Sequence, residues 1–106
     1  MKRDDPTTRP FITQSAVLLI FTSSKRIDQL KRVEVRALAN SLQHELGDLL
    51  RIILLDEKSY PDIFQSFEIT INPTFVLLRE GHELWRQEGI PEENLLTVAS
   101  KRLFPT

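Results

Sequence analysis

The chain has 106 residues, and this length predicts a single domain that can fold without disulfide bonds or a bound metal. Hydrophobic residues make up 41% of the chain and charged residues 27%, proportions typical of a globular protein in water. The net charge of −1 argues against a surface built for nucleic acid or for an anionic membrane. The lack of any cysteine excludes disulfide bonds and thiolate nucleophiles formed by this chain.

Residues 1–15 predict a polar extension, and we place the folded domain at residues 16–106. The extension begins with two basic residues, but no apolar stretch follows them, so it does not predict a signal peptide. The longest apolar run, residues 16–21, is too short to span a bilayer. We therefore expect a cytoplasmic protein. Phe11 and Ile12 are candidates for a short fifth strand at one edge of the sheet.

The first predicted elements are a buried strand and a long helix. Residues 16–21 are continuously apolar, which is typical of a strand buried on both faces. Hydroxyl side chains at residues 22–24 follow it and are candidate N-caps for a helix that ends near Gly47. Apolar residues recur in this helix at intervals of three and four and predict one buried stripe: Val35, Leu38, Ala39, Leu42 and Leu46.

A second strand and a short helix follow. Residues 50–55 are apolar at their centre and predict another buried strand. Ser59, with Pro61 and Asp62 after it, predicts the start of a helix, because proline suits the first helical position and an acid complements the helix dipole there.

A hairpin and a last helix complete the chain. Gly81 lies in a tight turn that joins a strand at residues 74–78 to one at residues 83–88. Pro91 and the two glutamates after it predict the start of the last helix. Its inner face is predicted to be apolar: Leu95, Leu96, Ala99 and Leu103.

The predicted order of elements is strand, helix, strand, helix, strand, strand, helix. The first strand–helix–strand unit favours a right-handed crossover between parallel strands, whereas the last two strands form an antiparallel hairpin. The sequence therefore predicts an α/β fold in three layers, in which a mixed four-stranded sheet is flanked by helices.

The region from residue 67 to residue 89 contains a series of short motifs. They are Phe67-Glu68-Ile69, Asn72-Pro73-Thr74, the apolar strand Phe75 to Leu78, the turn Glu80-Gly81 and the strand Glu83 to Gly89. Together they resemble the second half of a thioredoxin-like protein. The resemblance extends over roughly residues 16–103, and it implies the thioredoxin-like fold. It also implies a cis peptide bond before Pro73, although a trans proline that starts a strand is the alternative.

The chain departs from that family where the family carries its chemistry. Counting from Phe21 places the redox cysteine pair at Arg26 and Gln29, whereas counting back from the helix stripe places it at Gln29 and Arg32. Both alternatives lack sulfur. The buried acid that the family often has in its first core strand is replaced by Ile20. Because only a thiolate attacks a disulfide, the resemblance implies a redox-inactive member that is not an enzyme.

A basic segment covers the predicted start of the long helix. Its five cations are Lys25, Arg26, Lys31, Arg32 and Arg36. One interpretation is a rim that meets an acidic peptide or an anion. The other, which we favour, is a solvated helix face in which Asp28 pairs with Arg32 four residues later.

The remaining chemically capable residues predict no catalytic or metal site. His44 is expected on the polar side of a helix and His82 in a turn, and neither has a suitable partner for metal binding. We expect no cofactor and no metal. Trp85 lies in the middle of the hairpin, where it either packs under a helix, as we favour, or anchors a partner.

Two functional hypotheses follow. The first is a non-catalytic module, chaperone-like or peptide-binding, in which Asn72, Pro73 and Thr74 form a platform and residues 24–29 the opposite wall, since pairing with an extended backbone needs no thiol. Its partner would be a protein or peptide, with self-association as a variant, and we expect neither nucleic acid nor membrane as a partner. The second is an accessory domain of a redox enzyme that binds glutathione or another anion or positions a substrate.

Overall fold

The computed structural model describes residues 16–104, which form four strands and three α-helices. The strands are β1 (Ala16–Thr22), β2 (Leu50–Asp56), β3 (Thr74–Arg79) and β4 (His82–Glu88). The helices are α1 (Gln29–Leu46), α2 (Pro61–Ser66) and α3 (Leu95–Leu103). Short 3₁₀ turns at Arg26–Asp28 and Gly47–Leu49 flank α1. The order of elements predicted from the sequence is therefore confirmed.

The four strands form one mixed sheet in the order β2-β1-β3-β4. β1 runs parallel to β2 and antiparallel to β3, so that Leu19 lies between Ile53 and Val76. β3 and β4 form the expected antiparallel hairpin. The predicted mixed four-stranded sheet is confirmed, whereas the fifth strand suggested at Phe11 and Ile12 lies outside the described residues.

Alternation along β1 divides the core into two layers. Leu18 and Ile20 pack with the buried stripes of α1 and α3 on one face of the sheet. Leu19 and Phe21 pack on the other face, where α2 contributes Phe64. The rings of Phe21 and Phe64 meet edge to face with centroids 5.0 Å apart, a geometry that adds about 1 kcal/mol to simple burial.

The start of α1 differs from the sequence expectation. The helix begins at Gln29, and the side chain of its N-cap residue, Asp28, forms no capping hydrogen bond. The expected serine caps are wrong because Ser23 lies too far upstream. Its hydroxyl oxygen instead accepts a hydrogen bond from the backbone N–H of Lys25 at 3.0 Å and shapes the turn after β1.

Of the two shorter helices, α2 begins at Pro61 as predicted, with a different N-cap residue, and α3 begins later than expected. The N-cap of α2 is Tyr60 and not Ser59. α3 begins at Leu95, four residues after Pro91, because the side-chain oxygen of Asn94 accepts hydrogen bonds from the N–H groups of Leu96 and Thr97 at 2.8 and 3.2 Å. An asparagine that satisfies two free N–H groups is a stronger start signal than a proline.

The end of α1 is fixed by Gly47 and Gln43. Gly47 has the expected positive φ, +50°, and its N–H donates to the carbonyl of Gln43. The Gln43 side chain donates to the carbonyl of Leu50 at 2.7 Å and accepts from the N–H of Ile52 at 3.2 Å. It thereby ties the helix to β2.

Since β2 lies at an edge of the described sheet, its Leu54 is 38% exposed, and the expected burial on both faces is wrong for this strand.

Among the helices that the structure describes, none is both long enough and apolar enough to cross a membrane.

Candidate functional site

The loop before β3 lies at the end of the sheet where β1 and β2 reach their last residues. Thr74, the first residue of β3, pairs with Phe21 near the end of β1. The peptide bond between Asn72 and Pro73 is cis. The buried hydroxyl of Thr74 donates a hydrogen bond to the carbonyl of Ile71, and the carbonyl of Pro73 accepts one from the N–H of Gly89 at 2.7 Å. These two bonds hold residues 71–74 in place.

Asn72 has unused hydrogen-bonding groups among the described residues. Among the hydrogen bonds formed by residues 16–104, none uses the backbone N–H or C=O of Asn72. Its side-chain oxygen is buried and has no hydrogen-bond partner within the same residues. Backbone groups of this kind need a partner from water or from a ligand. Asn72 can therefore pair with an extended backbone laid alongside it.

The start of α1 faces this loop. A narrow cavity separates the two segments, lined on one side by Asn72 and Pro73 and on the other by Asp28, Lys31, Arg32 and Val35. Arg32 shapes this wall, because its guanidinium donates to the carbonyls of Ser23 at 2.8 Å and of Lys25 at 2.6 Å. The Asp28–Arg32 ion pair expected from the sequence does not form in this described segment.

Three large apolar side chains are exposed next in sequence to residues that line this cavity. Ile27 and Leu30, which alternate with the cavity-lining residues of the α1 wall, are 87% and 85% exposed, and Ile71, just before Asn72, is 47% exposed. Single exposed apolar residues are common, but a contiguous group of them marks a site of interaction. We call residues 27, 30 and 71–73 the Pro73 face.

Exposed charges lie on two segments that adjoin this region, and Asp28 lies among the residues that line the cavity. Exposed cations lie on the α1 side: Lys25, Arg26 and Lys31. On the other side, the loop after β4 starts at Gly89, which is bonded to Pro73, and carries exposed Glu92 and Glu93. Glu93 also lines a cleft against the side of α1. This cleft is also lined by Glu34 and Glu45, so Glu93 lies along the side of α1 with two further acids.

The other residues singled out from the sequence lie elsewhere. Arg26 and Gln29 are exposed at the start of α1, on the wall opposite Pro73. Thr74 is buried, so its side chain supports the loop from within. Trp85 is half-buried against the core on the side of α3, and it lines a separate cleft with Pro91 and Val98.

The proton and metal chemistry of the site is limited. Ile20, at the position of the missing acid, is fully buried. Both histidines are exposed, and the described residues contain no group of three or more His, Asp or Glu side chains arranged to hold a metal ion. The groups that remain at the Pro73 face are backbone amides, apolar side chains and surface charges.

Solved structures of thioredoxins match this architecture. Thioredoxin-2 of the malaria parasite superposes with a TM-score of 0.72 at 17% identity, over 82% of each chain. The germline-specific thioredoxin Deadhead of Drosophila melanogaster superposes with a TM-score of 0.71 at 18% identity, over 90% of this chain and 89% of that one. This chain has the thioredoxin fold. The thioredoxin-like resemblance expected from the sequence is thereby confirmed, for a chain without cysteine.

Curated relatives agree over a shorter span. Chloroplastic thioredoxin Y2 of Arabidopsis thaliana is 33% identical over 58 residues, which is 54% of this chain. Chloroplastic thioredoxin Y1 of the same plant is 32% identical over 50 residues, or 47% of this chain. These matches span about a third of the length of either relative. No family model matches the thioredoxin-like chain.

Sequence reasoning identified the Pro73 loop and missed the apolar residues across from it. A signal for their exposure existed, because Leu30 and Val33 lie on the side of α1 opposite the buried stripe, and Ile27 precedes them by three residues in the 3₁₀ turn before the helix. Nothing local in the sequence marked Arg32 as the residue that holds the wall, since its two acceptors are backbone carbonyls in the preceding loop.

Proposed function

We propose that this thioredoxin-like chain is a non-catalytic module that binds extended peptide or protein segments, as a chaperone or scaffold does, at the Pro73 face. The observation that carries the proposal is that the backbone N–H and C=O of Asn72 form no hydrogen bond with another of residues 16–104, while Ile71 next to it and Ile27 and Leu30 near the start of α1 are exposed. Backbone pairing would supply affinity for peptides of many sequences, and contacts with the apolar side chains would favour some of these peptides over others.

The loop is suited to this role because it is already ordered. The bonds from Thr74 to Ile71 and from Gly89 to Pro73 fix the backbone on both sides of Asn72 without a ligand. A bound segment would therefore lose its own conformational freedom without the additional cost of ordering the loop. Burial of apolar surface on Ile27 and Ile71 would contribute about 25 cal/mol for each Å² removed from water.

We also propose that the chain is not an enzyme. A thiol–disulfide reaction needs a sulfur nucleophile, and the chain has none. The absence of the buried acid at Ile20 is consistent with this, because no group remains there to move protons for such a reaction.

The alternative of an anion- or glutathione-binding accessory domain has one supporting observation. A second cleft, between the start of α1 and the end of β2, is lined by Arg32 and Arg36 together with the hydroxyl residues Thr22 and Ser24. The carboxylate of Asp56 also lines this cleft and would repel an anion. Arg32, moreover, already donates to two carbonyls. We therefore prefer the peptide-binding module.

The test is a selection from a phage-displayed library of random peptides, followed by affinity measurements with purified variants. We expect enriched peptides whose affinity falls about tenfold or more in Ile71→Asp, because a buried carboxylate without a partner costs more than 1.4 kcal/mol. Leu49→Asp is the matched control, since Leu49 is 53% exposed and lies where β2 begins, away from the Pro73 face. No enrichment, or equal loss in both variants, would contradict peptide binding at this face.

A further inference from the structure

The loop that joins β4 to α3 has a groove on each of two sides. Three of its residues, Ile90, Pro91 and Glu93, line both grooves. The first groove, of about 400 Å³, separates this loop and the start of α3 from the side of α1. The second, of about 460 Å³, lies between the loop, β4 and α3. We call the two grooves together the Pro91 surface, and they share no lining residue with the cavity beside Pro73.

Both grooves present large apolar side chains that remain partly open to solvent. In the first groove, half-buried Leu38 and Leu96 lie beside the buried side chains of Leu42 and Leu95. In the second groove, the indole of Trp85 is half-buried. A tryptophan in a cleft is typical of the side chains that anchor a partner.

The same grooves carry negative charge. The first is lined by three carboxylates and so is the second, with one of them shared: Glu34, Glu45 and Glu93, and Glu88, Glu92 and Glu93. Among the described residues that line either groove there is no Lys, Arg or His. These carboxylates form no ion pair with another of residues 16–104.

The cations that border the Pro91 surface do not neutralise it. Lys31 and Lys101 each lie three residues beyond a groove-lining residue of their own helix, and neither lines a groove. Arg86 pairs with Glu83, and its charge also acts on Glu88, so we leave Glu88 out of the site. The four remaining carboxylates lie on α1 and on the loop after β4.

We propose that the Pro91 surface binds a cationic segment of a partner protein in which arginine or lysine is interspersed with apolar residues. The cationic groups pair with Glu45 and Glu93, and the apolar side chains pack against Leu38, Leu96 and Trp85. An acidic segment is repelled, and a neutral one covers carboxylates without giving them a partner. This site does not rest on the function proposed for the Pro73 face, and the two surfaces can be occupied together.

The fluorescence of Trp85 tests the inference, because it is the single tryptophan of the chain and lines the second groove. The probe is a synthetic peptide in which arginine and leucine are spaced by glycine and serine. We expect a saturable change in tryptophan emission, with an affinity that falls as salt is added. The same peptide with glutamate in place of arginine should give no change. With serine in place of leucine, it should bind about threefold more weakly or worse.

Variants of the chain locate the binding. Glu45→Gln with Glu93→Gln removes one carboxylate from α1 and one from the loop while keeping their shape. We expect the Kd for the arginine peptide to rise about fivefold, because two exposed ion pairs are lost. Glu57→Gln with Glu80→Gln is the matched control, since both residues are exposed and neither lines a groove. Ile71→Asp, on the Pro73 face, should bind the peptide like the unmodified chain.

The inference would be overturned by an unchanged emission of Trp85, by equal binding of the glutamate peptide, or by equal loss in the two double variants. Loss of binding in Ile71→Asp would also overturn it, because the arginine peptide would then occupy the Pro73 face. Peptides selected at the Pro73 face are measured separately, so failure at one surface is distinguished from failure at the other.

Discussion

The guanidinium of Arg32 donates a hydrogen bond to the carbonyl of Ser23 across 2.8 Å, and so joins the first turns of α1 to the end of β1. The same nitrogen also donates to the carbonyl of Lys25 at 2.6 Å. In one of the two registers counted for the family's cysteine pair, position 32 would hold a cysteine. In this chain position 32 is an arginine whose side chain donates to carbonyls of the preceding loop, and these bonds fix the segment that faces Pro73.

Replacing Arg32 should loosen that wall. We expect Arg32→Ala to lower the free energy of unfolding by about 1–2 kcal/mol, because two carbonyls lose a charged donor. Urea unfolding measures the loss, and hydrogen exchange should become faster at residues 23–28. Arg36→Ala, four residues further along α1, is the matched control and should change stability by less than about 0.5 kcal/mol. Equal effects of the two substitutions would contradict the role of Arg32.

The buried hydroxyl of Thr74 should stabilise the fold and the loop before β3. Thr74→Val keeps the shape of this buried side chain but leaves the carbonyl of Ile71 without its donor. We expect a loss of about 1–2 kcal/mol in the free energy of unfolding and weaker binding of selected peptides. Thr97→Val, at an exposed position in α3, should leave both quantities nearly unchanged. If Thr74→Val behaves like Thr97→Val, the hydrogen bond does not hold the loop.

One surface ion pair should give a small pH dependence of stability. Glu83 and Arg86 meet at 2.9 Å in β4, and the hydrogen bond from Arg86 lowers the pKa of the Glu83 carboxyl below its ordinary value. A lowered pKa in the folded state stabilises the fold above the ordinary value, and the gain is lost as the pH falls below about 5.

The expected size of this effect is a few tenths of a kcal/mol, because both side chains are partly exposed to solvent. At neutral pH, Glu83→Gln should be less stable than the unmodified chain by that amount in urea unfolding, and the difference should vanish in acid. Glu92→Gln is the control, with no such trend expected. A difference for Glu83→Gln that grows as the pH falls would have the wrong sign.

Long patterns in the sequence predicted the fold better than local signals predicted its details. The continuous apolar run at residues 16–21 and the stripe from Val35 to Leu46 determine which surfaces are buried, and both were confirmed except at Val17 and Leu38, which are half-buried. Helix starts were less predictable because several residues compete for the same role. Pro91 is a plausible start for α3, but the side chain of Asn94 accepts hydrogen bonds from two N–H groups, and the helix begins after Asn94.

The candidate site was predictable only where a motif marks it. Asn72-Pro73-Thr74 identified the loop, but burial of the Thr74 side chain depends on its pairing with β1, which the motif does not contain. The exposure of Ile27 and Leu30 depends on where the axis of α1 lies over the sheet. The stripe that begins at Val35 predicts which side of α1 faces the sheet. The exposure of Ile27 and Leu30 indicates a site only when the position of the loop before β3 is also known.

The lack of sulfur makes a direct prediction about catalysis. In the reduction of insulin by dithiothreitol, we expect the rate of precipitation with this chain to equal the rate without protein, because no thiolate is available to enter the exchange. A redox-active thioredoxin serves as the positive control. Acceleration above background by a preparation free of other thioredoxins would contradict a non-catalytic role.

The most direct test of the central claim is an NMR titration of the ¹⁵N-labelled chain with a peptide from the phage selection. If the Pro73 face binds extended segments through the backbone of Asn72, the largest amide shifts will be those of Ile71, Asn72 and Ile27. They will be absent in Ile71→Asp and retained in Leu49→Asp. Shifts confined to the opposite end of the sheet, around Leu49 and Leu103, would contradict the account.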